Sequence, residues 1–143
     1  MPLFAGQSRE QLRQMYLEAW RRYSARLPLE PLQAEVAAVI AEHPEYLPVL
    51  ESGEEALTID YTPEGGRQNP FLHMGLHLAI REQVATDRPA GIAQIHAALS
   101  RRLGDTHAAE HAMLEPLAEV LWEAQRCGRM PDEQRYLERL RGI

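Results

Sequence analysis

Apolar residues recur every three or four positions along most of this chain, the period of helices that bury one face. Ser8 followed by Gln11 predicts a capping box opening a helix that runs to about residue 26, with Leu12, Met15, Tyr16, Ala19, Trp20 and Tyr23 inward. Pro28 and Pro31 punctuate the turn, and Pro31 suits the first position of a second helix, whose inner stripe is Leu32, Val36, Val39, Ile40 and His43. The His43-Pro44 step ends it, because a residue before proline avoids helical backbone, and a short helical piece over 46–50 follows. Residues 52–69 lack a helical period: Gly53, Pro63, Gly65 and Gly66 mark turns, and 57–61 read as briefly extended. A loop of this length reads as packed surface chain, with a lid as the functional alternative. Asn69-Pro70 predicts a strong helix start, the helix running to about residue 87. Pro89 then opens another, with Ile92, Ile95, His96, Leu99 and Leu103 inward and Gly104 as its stop. Asp105 or Thr106 caps a long helix ending at Cys127-Gly128, and a last helix covers about 131–141. Pro116 falls inside the long helix, where it deprives the Ala112 carbonyl of its donor and predicts a kink or a division.

No repeat and no shift of composition divides the chain. The expectation is an all-α protein: a single domain over 1–143, a helical bundle of about five to six helices with one long loop at 52–69.

Composition narrows the function classes. A chain of 143 residues suits one hydrophobic core, and its hydrophobic content of 45% argues against disorder. No run approaches the ~18 apolar residues of a membrane span, and Met1 to Gln7 shows no basic region leading into an apolar run, so neither a span nor a secretory signal is expected. One cysteine, Cys127, excludes an internal disulfide and suits a reducing compartment, so the expected location is cytoplasmic. The net charge of −6, with Arg9, Arg13, Arg21, Arg22 and Arg26 interleaved with Glu10 and Glu18, argues against a nucleic-acid binder. All 15 basic residues are arginine. Without lysine there is no Schiff-base chemistry, no lysine base and no phosphate-binding P-loop.

The histidines carry the candidate chemistry. Four of the six form two i, i+4 pairs: His73 with His77, and His107 with His111. Residues four apart project from one helix face, so each pair can grip one ion. Turning each residue by ~100° puts His73, His77, Ile80 and Val84 opposite the polar Glu82 and Thr86. On the long helix Glu115, Glu119, Glu123 and Arg126 mark the solvent side, and the opposite stripe is Glu110, Met113, Leu114, Leu117 and Leu121. Glu110 is thus a carboxylate in an apolar stripe, flanked by His107 and His111, and it requires a cation, a proton or good hydrogen bonds. If one antiparallel helix separates the two His-bearing helices, their first turns lie at similar heights. The leading reading is one transition metal, zinc or iron, held by His73, His77, His111 and Glu110, with His107 as substitute or outer residue. If catalytic, Glu110 or an open coordination position would activate water. His73 to His77 lacks the glutamate of a metalloprotease helix. The alternative is a non-enzymatic structural or protein-interaction module without metal, in which Glu110 pairs with a histidine or an arginine. His43 has no spaced partner and reads as a core or capping residue, and His96 reads as structural. Cys127 sits at a helix C-terminus, which disfavours a thiolate.

Several blocks resemble a bacterial family of unknown function, domain of unknown function 1841. They are residues 11–16, Gln-Leu-Arg-Gln-Met-Tyr; residues 42–46, Glu-His-Pro-Glu-Tyr; Thr62-Pro63-Glu64-Gly65-Gly66; and above all the run from Asn69-Pro70 through His73 and His77 to Gln83. Glu110-His111 and residues 121–125 are similar too, so the resemblance covers nearly the whole chain. It implies a helical bacterial protein and brings no activity with it.

Overall fold

A computed structural model describes residues 8–61 and 68–143 of the chain. Every regular element among them is helical, as the periodicity requires. The backbone gathers into two compact units, residues 1–78 and 79–143.

In the first unit, Ser8 caps α1 (Arg9–Ser24) through the expected box: its Oγ accepts from the Gln11 amide at 3.1 Å, and the Gln11 side chain accepts from the Ser8 amide at 2.9 Å. Pro31 opens α2 (Pro31–Ala41), with Glu30 at its cap. Val36, Val39 and Ile40 are fully buried, in one core with Tyr16, Ala19, Leu50, Phe71, Met74 and Leu78. Pro44 stops α2 and starts a single 3₁₀ turn (Pro44–Tyr46), which leads into α3 (Leu47–Glu51).

Three expectations are corrected in this unit. Residues 52–69 are not one loop, because α4 (Glu54–Thr58) occupies part of them. Gly53, at φ 72°, takes the left-handed turn that admits it, and Glu54 and Glu55 suit a helix N-terminus. A helix of five residues is too short to display a period. Of the segment read as extended, residues 57 and 58 belong to α4, and Ile59 just after it has extended backbone, at φ −62° and ψ 130°; Pro63, Gly65 and Gly66 lie outside the described residues. Tyr23, read as inward, is 48% exposed, and Arg13 is buried instead. The Arg13 guanidinium lies over the rings of Phe71 and Tyr61 and donates from Nη1 to the carbonyls of Ala56 and Ile59, at 3.0 and 2.7 Å. It thereby satisfies carbonyls at the C-terminal end of α4, which a helix leaves unpaired.

Helix α5 (Pro70–Thr86) gives its first half to this unit and its second half to the other. Asn69 caps it as predicted, its Oδ1 accepting from the amides of Phe71 and Leu72 at 3.0 and 3.2 Å.

In the second unit, Asp87 leaves α5 with left-handed backbone, φ 51°. Its carboxylate accepts from the amides of Gly91 and Ala93 at 3.1 and 3.0 Å, so it organises the start of the next helix. That helix, α6 (Ile92–Leu103), begins three residues after the predicted Pro89, which follows a cis peptide bond and precedes the helix. Asp105 caps α7 (Thr106–Cys127), which continues through Pro116 without division. Asp132 caps α8 (Glu133–Arg141). The buried stripe of α7 is Ala109, Glu110, Met113, Leu114, Leu117 and Val120. Leu121 and Leu103, both read as inward, are 41% and 46% exposed; beyond Pro116 the inner line falls on Val120, and Leu103 ends its helix beside the left-handed Gly104. Helices α6 and α8 both pack on α7, and the Tyr136 hydroxyl of α8 donates to Gln83 of α5 at 2.7 Å. Cys127, the last residue of α7, is exposed. Among the described residues no helix is long and apolar enough to cross a membrane.

The described residues hold eight α-helices; α3 and α4, of five residues each, account for the excess over the expected number.

Candidate metal centre

The first unit brings three imidazoles into mutual contact. His73 and His77 lie one helical turn apart on α5, with ring centroids 4.9 Å apart. His43, stranded just beyond α2 by Pro44, meets them both, at 5.1 Å from His73 and 4.7 Å from His77. His43 and His77 are buried, at 1% and 0% exposure, and His73 is half-buried. Tyr46 stacks on the His43 ring, 5.5 Å between centroids and 7° from parallel.

Hydrogen-bond chemistry assigns the protons of the neutral rings. The Nδ1 of His43 is 2.7 Å from the Val39 carbonyl; a carbonyl only accepts, so Nδ1 carries the hydrogen and Nε2 is the basic nitrogen. His73 is the reverse case. Its Nδ1 lies 3.1 Å from the Gln68 amide nitrogen, which only donates, so Nδ1 accepts. The hydrogen of His73 is then on Nε2, 3.2 Å from Nε2 of His77, and His73 donates to His77.

In the second unit, His107 and His111 sit on the first turns of α7, where Asp105 sets the helix start, with ring centroids 4.5 Å apart. His107 is half-buried and His111 exposed. Glu110 is buried, at 6% exposure. Its charge is met by Arg81, whose Nε donates to both carboxylate oxygens at 3.0 and 3.2 Å. Of the partners the sequence left open for Glu110, an arginine is thus present. His96 is half-buried, and its Nε2 is enclosed with no hydrogen-bond partner among the described residues.

Residues 8–142 match the family model described as Domain of unknown function (DUF1841). The chain belongs to that family. No curated protein and no solved structure matches it.

For this DUF1841 chain, chemistry must therefore be read from side chains. His43 and His77 each offer a ligand nitrogen within 4.8 Å of the other, and so do His107 and His111. Two nitrogens on one tetrahedral zinc, each at ~2.0–2.1 Å, stand roughly 3.3 Å apart. The 3.2 Å between the Nε2 atoms of His73 and His77 already matches that spacing, and the other pairs need to close by at most about 1.5 Å. Imidazole donors fit zinc, iron or nickel and not magnesium or calcium. Sequence reasoning found both i, i+4 pairs and missed His43 as a member of the group. Its one signal was a histidine on the inner stripe of α2; its partners are some thirty residues away and only folding joins them.

Proposed function

We propose that this DUF1841 protein binds one transition-metal ion, zinc or iron, through its clustered imidazoles, with His77 of α5 among the ligands. The observation that carries the reading is the pairing itself. Each helix presents two imidazoles in ring contact, at 4.9 and 4.5 Å between centroids, and imidazole nitrogens at such spacing are the donors that zinc accepts. Glu110, engaged by Arg81, balances charge beside the ligands and does not itself touch the ion. Ligation by His73 would require its hydrogen to move from Nε2 to Nδ1 and the Gln68 amide to turn its oxygen inward. Where one ligand position is left to water, the ion would lower the pKa of that water and make it a nucleophile near neutral pH.

A second reading has its own support. The Arg81–Glu110 pair and the His73–His77 hydrogen bond satisfy these groups without any ion, as expected of a structural or protein-interaction module. Elemental analysis of untagged protein, followed by zinc and iron titration against a competing chelator, separates the two. Near-stoichiometric metal, or uptake of about one ion per chain with submicromolar affinity, supports the metal reading. Protein that emerges metal-free and binds neither ion more tightly than about 10 μM, some 7 kcal/mol, overturns it.

A further inference from the structure

We infer that His43 is a further ligand of this ion, preset to coordinate through Nε2, and that His73 is the hydrogen-bond donor the ion displaces. The inference rests on the metal-binding reading above and assigns its ligands within the first unit. Four observations support it. The Val39 carbonyl, 2.7 Å from Nδ1, fixes the tautomer in which Nε2 carries the lone pair; metal-bound histidines characteristically donate their other ring N–H in this way, which orients the ring and raises its basicity. The ring is also immobilised before any ion arrives, by Pro44 behind it in the chain and by the parallel Tyr46 ring, so little freedom is lost on ligation. The ring is buried, at 1% exposure, just beyond a helix whose Val36, Val39 and Ile40 are fully buried, and an imidazole is kept out of water only where polar partners or a ligand engage its nitrogens. Finally, its ring meets that of the fully buried His77 at 4.7 Å, with a ligand nitrogen of each within 4.8 Å.

His73 differs in the property that matters. Its Nδ1 accepts from Gln68, so its Nε2 holds a hydrogen and faces His77 as a donor. His43 needs no proton rearrangement to ligate; His73 does.

The test measures zinc affinity by chelator competition, and the visible spectrum of the cobalt-substituted protein, for the full chain and for His43→Leu, His73→Gln and His77→Leu. The expected result is a loss of at least about 100-fold for His43→Leu and His77→Leu with an altered cobalt spectrum, and less than about 10-fold for His73→Gln, the range of an outer residue. If wild-type protein binds zinc but His43→Leu binds within about threefold of it with an unchanged cobalt spectrum, His43 is no ligand and the metal reading stands without it. If wild-type protein binds neither ion, the metal reading itself fails and this assignment with it. Should His43→Leu not fold, long-range proton–nitrogen NMR of the wild type decides. Zinc should shift His43 Nε2 while Nδ1 stays protonated, and an unmoved Nε2 overturns the assignment.

Discussion

Removing Arg81 should cost more than removing its partner, and the two costs should not add. The Arg81 side chain is 28% exposed and that of Glu110 only 8%, with Nε to Oε2 at 3.0 Å. Deleting one member of a buried ion pair typically costs 3–5 kcal/mol, because the other charge is stranded. The exposure of Arg81 admits some water, so Arg81→Met, which keeps the aliphatic stem, should cost about 2–3 kcal/mol. Glu110→Gln keeps the shape and an acceptor for the guanidinium, which has access to water, and should cost about 1 kcal/mol, the difference between a charged and a neutral hydrogen bond. The double variant strands nothing. It should therefore be less destabilised than Arg81→Met plus Glu110→Gln by at least about 1 kcal/mol, the signature of direct coupling. Urea unfolding of the four proteins in chelator measures this without any contribution from bound metal. Additivity within about 0.5 kcal/mol would refute the claim that Glu110 depends on Arg81 for its charge. Glu110→Gln should also leave zinc affinity within about 10-fold of wild type; a larger loss would return the carboxylate to the ligand set.

Adding excess chelator should lower the melting temperature of metal-loaded protein, since a ligand held at 1,000 times its Kd stabilises by about 4 kcal/mol; an unchanged melt sinks the metal reading. Gly75→Ala should stabilise by about 0.5–1 kcal/mol, as glycine inside a helix costs roughly that much and the added methyl meets only the Tyr16 hydroxyl at an ordinary 3.6 Å; a lower melting temperature would contradict it. Burial raises the pKa values of the Tyr16 and Tyr136 hydroxyls above the ordinary tyrosine range. The folded state thus favours the neutral phenols, a contribution fully present below about pH 10, where free tyrosine titrates, and lost as pH rises beyond it. The part of the tyrosinate absorbance that Tyr16→Phe and Tyr136→Phe remove should appear only with unfolding, as followed by circular dichroism, and ordinary titration of both groups in folded protein would refute this. Arg13→Met should destabilise by roughly 2–3 kcal/mol in chemical denaturation, because the carbonyls of Ala56 and Ile59 lose their buried donor; a change below about 0.5 kcal/mol would show that water replaces the guanidinium.

What could be read in advance was local chemistry. Ser8, Asn69 and Asp105 announce helix starts because a capping side chain bonds to amides two or three residues away, and Pro31 does so because its fixed φ suits the first helical position. The facing of His77, Ile80, Met113 and Leu117 follows from helical rotation alone, and all four are buried. The expectations that failed lie where local rules give out. Tyr23 and Leu103 belong to the last turns of their helices, where the period persists after the core has ended. Helix α4 is stabilised from outside by Arg13, which no periodicity reports. Arg13 shares a face with Tyr16 and Trp20 at helical spacing, so its inward direction was available; its charge obscured it. His43 is the instructive omission, since its neighbours on α5 are supplied by tertiary structure, whereas the i, i+4 pairs advertise themselves.

The exposed thiol that ends α7 gives this chain an unusual chemical economy. With no lysine anywhere in the sequence, amine-directed reagents find no side chain to modify, and thiol-directed ones find a single address. A nitroxide or fluorophore attached there would be homogeneous without any engineering, and its relaxation or quenching by added cobalt or copper would report ion uptake from a residue outside the histidine groups.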